Sequence, residues 1–200
     1  MPLPALRHTS WLADALGHLL PRHCLLCEAA CGAAPLCPDC RAFLPGGTRP
    51  RCRVCARPWQ SSDRCASCRE APPAFDRTIT AADYVAPLDR AITALKFSGR
   101  TGLAPGLGAL LADACRARED GLLDAVDCIV PVPLSVARLA ERGFNQAHLV
   151  AAALCRRARR ARPRPALLRR GRDPRAQALP HGEGPRANLD HGFAAPALPQ

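Results

Sequence analysis

Hydrophobic positions recur every three or four residues in four stretches of the chain, and each stretch predicts an amphipathic helix. The first helix lies within residues 1–22 and is too short to cross a bilayer, while Asp14 and His18 interrupt the apolar core that a secretory signal needs. We therefore expect no membrane span and a cytoplasmic protein. The positions that share a helix face are Leu12, Leu16 and Leu19; Leu88, Ile92 and Leu95; Leu103, Leu107, Leu110 and Ala114; and Leu149, Ala153 and Leu154.

Two shorter runs predict strands. Residues 78–84 are a plausible strand, and the apolar run 128–132 is typical of a fully buried strand whose pairing must stop at Pro131 and Pro133. Strands that alternate with helices predict an α/β fold with a parallel sheet, in which ligands bind at the carboxyl ends of the strands. The loop expected over residues 134–146 follows such an end.

Residues 69–74 read Arg-Glu-Ala-Pro-Pro-Ala, and the two prolines predict a stiff, non-helical linker. We therefore expect a short amphipathic helix over residues 1–22, a cysteine-rich module over residues 23–70 and a second domain over residues 75–200.

Eight cysteines in the module form four Cys-x-x-Cys pairs, arranged as two copies of one unit. Nine residues separate the two pairs of each copy, and every cysteine of the first copy recurs 28 positions later. This self-similarity predicts a duplicated small element that offers four thiolates in each copy. The eight cysteines are Cys24, Cys27, Cys37, Cys40, Cys52, Cys55, Cys65 and Cys68.

Two structural zinc ions are the predicted cofactors. A 17-residue unit cannot bury enough apolar surface to offset its chain entropy, so metal binding has to supply the folding free energy. A site closed by four thiolates has no open coordination position, so zinc is assigned no catalytic role. Redox chemistry of the thioredoxin type is disfavoured, because the four pairs lie outside a βαβ context.

The sequence does not decide which pairs share an ion. The repeat favours sequential pairing within each copy, whereas a crossed arrangement would join the pair Cys24 and Cys27 to the pair Cys52 and Cys55.

Four further cysteines are not predicted ligands. Cys31 has no counterpart in the second copy, because Trp59 stands 28 positions later, so we predict a bystander. Cys115, Cys128 and Cys155 lie in apolar or helical contexts and are predicted to be packed thiols.

The chain has 28 basic and 17 acidic residues, and its formal charge of +11 favours anionic partners such as nucleic acid, phosphorylated metabolites or acidic proteins. Abundant Arg, Ala, Pro and Gly is also what GC-rich coding produces without selection for binding. Nine arginines among residues 156–172 suggest single-stranded DNA, but that run contains none of the aromatic residues on which bases stack.

The segments ALKFSGR at 94–100 and VPVPLSVARLAERGFNQA at 130–147, with Gln177 and Asn188 downstream and the cysteine repeat in front, together resemble the ComF (competence protein F) family. The resemblance implies an α/β protein with an N-terminal double zinc ribbon followed by a type I phosphoribosyltransferase-like domain with a parallel sheet. It also implies a cytoplasmic role in competence and DNA uptake, with competence proteins as partners.

By the same resemblance, the loop after residue 132 approaches a phosphoribosyl pyrophosphate-like ligand. Guanidinium groups bind phosphate oxygens in bidentate fashion, and glycine permits close backbone approach. The structural alternatives are an exposed helical face for the two arginines, a helix cap for Asn145 and Gln146, and a solvated helix end for Lys96. The residues implied in substrate binding are Lys96, Arg138, Arg142, Gly143, Asn145 and Gln146.

Type I phosphoribosyltransferases share a strand ending in two acidic residues, followed by a Thr- and Gly-rich loop that holds the 5-phosphate. This chain has no such segment: its last threonine is Thr101, and the acidic pair at 119–120 runs into Gly-Leu-Leu. The family pattern places the segment just after Phe193, so we expect a partial, C-terminally truncated domain without the phosphoribosyl pyrophosphate loop.

We accordingly assign no catalytic residues, and Mg²⁺ is expected only where a complete site exists. Two functions remain: a catalytically incomplete ComF-like protein, and a non-enzymatic zinc-ribbon protein that binds nucleic acid.

Overall fold

The computed structural model describes residues 23–31, 36–44, 49–61, 63–118, 121–160, 162–170 and 192–195. The helix predicted within residues 1–22, Gln177 and Asn188 lie outside these residues. The chain divides into two compact units, Met1–Ala91 and Ile92–Gln200, and each is described by itself.

The first unit contains two short helices, α1 (Pro38–Phe43) and α2 (Ala66–Glu70). Each begins directly after a cysteine in extended conformation, Cys37 for α1 and Cys65 for α2. Proline at the first position of α1 has no N–H to leave unsatisfied there, so it favours the helix start.

The helix α3 (Leu88–Phe97) crosses the division between the units and confirms the helix predicted from the apolar spacing. Leu88 and Leu95 on its apolar face are buried, whereas Phe97 at its end is exposed. A 3₁₀ turn, Thr101–Leu103, leads into the next helix.

The second unit is built around two helices that pack against each other, α4 (Ala104–Arg118) and α7 (Gln146–Arg157). Both confirm helices expected from the sequence. Between them in the sequence are the shorter helices α5 (Leu122–Ala125) and α6 (Val136–Arg142). After α7 come a 3₁₀ turn, Pro165–Leu167, and a two-stranded antiparallel sheet of β1 (Arg169–Arg170) and β2 (Phe193–Ala194).

A glycine permits the close approach of α4 to α7. A Cβ at Gly108 would lie 2.5 Å from the Cβ of Ala153 and 2.8 Å from both the backbone nitrogen of Leu154 and the carbonyl oxygen of Val150. Only a residue without a side chain fits there, so Gly108 sets the distance between the two helices.

Neither predicted strand forms. Residues 78–84 and 128–132 carry no ladder pairing, and β1–β2 is the sheet that the described residues contain. The described residues thus contain no parallel sheet, and the parallel-sheet domain expected over residues 75–200 is not confirmed.

The carbonyl groups around residues 128–132 have other partners than a neighbouring strand. The backbone N–H of Arg164 donates to the Ile129 oxygen at 2.9 Å, and Asn145 Nδ2 donates to the Val132 oxygen at 3.0 Å. The guanidinium groups of Arg160 and Arg170 donate to the carbonyl groups of residues 126 and 133. Side chains and a single backbone bond thus satisfy acceptors that a sheet would otherwise pair.

The loop expected over residues 134–146 was also wrong in part, because it contains α6. Ser135 caps this helix by accepting a hydrogen bond from the Arg138 N–H at 3.2 Å, and Gly143 ends it with a φ of 75°. A serine before the helix and a glycine after it are ordinary boundary signals.

Among the residues that the structure describes, no helix is both long and apolar enough to cross a membrane.

Candidate metal centres

Two groups of four thiols lie within the first unit, and in each group all sulfur atoms are within 4.8 Å of one another. One group joins the Cys24–Cys27 turn to the start of α1, and the other joins the Cys52–Cys55 turn to the start of α2. The cysteines are therefore paired sequentially, within each copy of the repeat, and the crossed arrangement does not occur. The groups are Cys24, Cys27, Cys37 and Cys40, and Cys52, Cys55, Cys65 and Cys68.

The sulfur spacing fits a tetrahedral zinc ion. Zinc binds thiolate sulfur at about 2.3 Å, so two sulfurs of a regular tetrahedron lie about 3.8 Å apart. The Sγ atoms of Cys27 and Cys37 are 3.6 Å apart, and those of Cys55 and Cys65 are 3.7 Å apart. Four thiols at this spacing and no other donor type match a structural zinc site, which confirms the prediction of two structural zinc ions.

The two centres repeat each other at the level of single hydrogen bonds. The N–H of Cys24 donates to the Ala29 oxygen at 2.7 Å, and 28 positions later the N–H of Cys52 donates to the Arg57 oxygen at 2.9 Å. Glu28 and Ala56 occupy the same place in the two turns, with φ of 62° and 57°. The sequence repeat is thus a repeat of backbone conformation.

Backbone N–H groups point at the first sulfur of each centre. Burial alone would raise the pKa of the Cys24 thiol, but the N–H groups of Cys27, Cys37 and Leu26 donate to its sulfur and lower the pKa to about 6. The N–H groups of Cys55, Cys65 and Val54 do the same for Cys52, whose pKa is also about 6. One ligand of each centre is therefore already a thiolate at neutral pH.

The last cysteine of each centre behaves in the opposite way. Burial and the neighbouring thiols raise the pKa of Cys68 to about 12, and the same causes raise that of Cys40. Four thiolates cannot crowd together without a cation between them, and zinc supplies the compensating charge.

A side chain from the residue before each first cysteine stabilises the turn. His23 Nδ1 donates to the Glu28 oxygen at 2.7 Å, and Arg51 Nη1 donates to the Ala56 oxygen at 3.0 Å, 28 positions later. His23 is exposed, but Arg51 is buried and reaches further: its Nη2 lies 2.6 Å from Asp83 Oδ1. Sequence reasoning missed Asp83.

The other four cysteines stand outside these groups. Cys115 on α4 and Cys155 on α7 are buried, and burial raises the pKa of both thiols. Cys31 is half-buried and is not one of the four thiols of the first centre. Cys128 is exposed, so the prediction that it packs in the interior was wrong, because its segment is not the buried strand expected there.

The structure places the six implied substrate residues in the second unit. Arg142 Nη1 donates to Gln146 Oε1 at 3.2 Å, and the Arg142 guanidinium lies over the ring of Phe97, 5.0 Å from its centroid. Lys96 precedes that ring in the sequence. The two segments that carry the ComF resemblance thus meet at Arg142 and Phe97, although Phe97 was not among the predicted site residues.

Two of the six, Asn145 and Gly143, have structural roles of their own, and a third, Arg138, is exposed. Asn145 caps α7 by accepting hydrogen bonds from the N–H groups of Ala147 and His148, at 2.9 and 3.3 Å, so the cap alternative describes it. Gly143 ends α6, and Arg138 lies on the exposed side of that helix.

No curated protein and no solved structure was found to match this chain. Residues 15–69 match the family model described as a double zinc ribbon domain, the architecture that the two four-cysteine centres form.

Proposed function

We propose that this protein is a ComF-like protein of competence and DNA uptake that binds single-stranded nucleic acid, and that these 200 residues do not transfer phosphoribosyl groups. The zinc ribbon supports nucleic-acid binding in general terms. The observation that carries the proposal is the distribution of positive charge along the chain.

The zinc-loaded ribbon is close to neutral. Residues 23–70 contain seven arginines and four carboxylates. Each zinc ion with four thiolates carries a formal charge of −2, so the loaded module has a formal charge of about −1. The positive excess of the chain therefore lies after the ribbon, where residues 71–200 contain 19 basic and 12 acidic residues.

Part of this excess is free to bind an anion. In the arginine-rich run that begins at the end of α7, Arg157 pairs with Asp113 at 3.5 Å, and Arg160 and Arg170 donate to backbone carbonyl groups. Arg156, Arg159 and Arg162 are exposed, and their guanidinium groups form no hydrogen bond or ion pair with another described residue. We assign these three to phosphate contacts.

Salt dependence tests the proposal. Fluorescence anisotropy with a labelled oligo(dT) should give an affinity that falls steeply between about 50 and about 200 mM salt. Replacing the three arginines by glutamine should lower the slope of log affinity against log salt by about 2, since each phosphate contact on a single strand contributes about 0.7. Arg53→Gln in the ribbon is the matched control. Absent or salt-insensitive binding would refute the proposal.

A second candidate function is binding of a phosphoribosyl pyrophosphate-like ligand without transfer. The contact of Arg142 with Gln146 favours it, because the resemblance implies a substrate role for both residues. Isothermal titration with phosphoribosyl pyrophosphate should show binding that Arg142→Met abolishes. Incubation with candidate acceptors should release no pyrophosphate above a blank, because the 200 residues contain no acidic pair followed by a Thr- and Gly-rich loop.

A further inference from the structure

Phe97 is an exposed aromatic side chain at the end of a helix. It is the last residue of α3 and is 70% exposed, although α3 buries Leu95 two residues earlier. It is the most exposed aromatic side chain among the described residues, ahead of Tyr84 at 62% and Phe75 at 49%.

The backbone that carries the ring is fixed where α3 ends. After it, the N–H groups of Ser98 and Arg100 both donate to the Ala94 oxygen, at 3.0 and 3.3 Å, and Gly99 has a φ of 62°. This left-handed glycine closes the end of α3 and fixes the backbone that carries the ring.

Arg142 fixes the ring itself. Its guanidinium lies 5.0 Å from the ring centroid, and the hydrogen bond to Gln146 at 3.2 Å anchors the guanidinium to the start of α7. A cation over an aromatic face is attracted by the quadrupole of the ring. One face of Phe97 is thus covered by a positive charge, and the exposure of the residue leaves the other face open to solvent.

We propose that the open face of Phe97 is a stacking platform for one base of a bound single strand. This inference rests on the proposed function. A preordered ring loses little conformational entropy on binding, every base has a π-face, and the neighbouring charges of Lys96 and Arg142 suit the phosphates that flank the base. An apolar protein partner would gain nothing from these two cations.

The platform also answers an objection to nucleic-acid binding. The arginine run at 156–172 has no aromatic residue of its own, and the ring that its Arg170 contacts, Phe193, is half-buried with that guanidinium over it, so charge dominates the contact with a strand there. A ring on α3, elsewhere in the same unit, supplies the base contact that this run cannot.

The test compares two oligonucleotides of equal length and charge, one of oligo(dT) and one with abasic sites throughout. Phe97→Leu should weaken oligo(dT) binding by about 5- to 100-fold and leave the abasic strand unaffected, because only the first strand can stack. Phe97→Trp should retain or increase the affinity for oligo(dT), which excludes misfolding as the cause. Phe75→Leu, at an exposed phenylalanine of the first unit, is the matched control.

The outcomes distinguish the stacking platform from the proposed function on which it rests. If the unchanged protein binds both strands equally well, or if Phe97→Leu weakens both by the same factor, the platform does not exist while nucleic-acid binding stands. If the unchanged protein binds neither strand, the proposed function is wrong, and the platform with it.

Discussion

Arg51 and Asp83 form a buried ion pair across 32 residues of sequence, with Arg51 Nη2 2.6 Å from Asp83 Oδ1. The Arg51 side chain is 5% exposed and that of Asp83 is 21% exposed. The same guanidinium also donates to the Ala56 oxygen in the turn of the second zinc centre. The ion pair therefore connects this centre to the segment that follows the ribbon within the first unit.

Removing Asp83 should destabilise the first unit. Asp83→Ala removes the carboxylate that pairs with a buried guanidinium, and the expected loss is about 3 kcal/mol in the free energy of unfolding. Guanidinium denaturation of the zinc-loaded protein, followed by circular dichroism, measures this loss.

The matched control is Asp63→Ala. Asp63 pairs with Arg53 at 3.7 Å, but its side chain is 69% exposed, so this substitution should cost less than about 1 kcal/mol. Equal losses in the two variants would show that the burial of Arg51 has no energetic consequence.

Loss of one zinc ligand should affect one centre only. Cys65→Ser removes a ligand that also precedes α2, so we expect one zinc ion per chain by elemental analysis instead of two. Cys128→Ser, at an exposed thiol outside both centres, should keep two. Loss of both ions from Cys65→Ser would mean that the centres do not fold independently.

Zinc affinity should fall with decreasing pH, and more steeply below pH 6. Above that pH Cys24 and Cys52, each with a pKa of about 6, are thiolates and release no proton on binding zinc. Below it zinc must displace one more proton from each centre, so the slope of log affinity against pH should increase by about one per ion. Competition with a chromogenic chelator at several pH values measures the slope, and a constant slope through pH 6 contradicts the lowered pKa values.

A side chain at Gly108 should destabilise the second unit. Alanine would add about 1 kcal/mol of helix propensity, but overpacking against α7 costs about 1–3 kcal/mol, so we expect Gly108→Ala to lower the melting temperature. Gly102→Ala is the control, because a Cβ there meets no atom within 4 Å.

A second substitution identifies the cause. Ala153→Gly should restore only part of the stability of Gly108→Ala, since two backbone atoms of α7 remain 2.8 Å from the new Cβ. Full restoration would show that contact with the Ala153 methyl group accounts for the whole loss of stability.

The metal centres could be predicted from the sequence because the ligands of a structural zinc site lie close together in the chain, as cysteine pairs at a fixed spacing. It could not decide the pairing, since sequential and crossed arrangements use the same residues and differ only in space. The contact between Arg51 and Asp83 has no local signal either, because neither residue type nor spacing marks two positions 32 residues apart.

The two strand predictions failed for a different reason. An apolar run such as 128–132 is compatible with a strand, but a strand also needs a partner, and here the carbonyl oxygens of Ile129 and Val132 accept from Arg164 and Asn145 instead. The helix α6 was predictable in principle, because Ser135 and Gly143 mark its ends, yet its seven residues were too few for the periodicity to show.

The difference between His23 and Arg51 makes the two halves of the duplication unequal in strength. An exposed imidazole holds the first turn through one bond, whereas the second turn is held by a buried arginine with a counter-charge. Under zinc starvation the first half should therefore release its ion before the second. The protein would then pass through a form with one zinc ion instead of losing both ions in a single step.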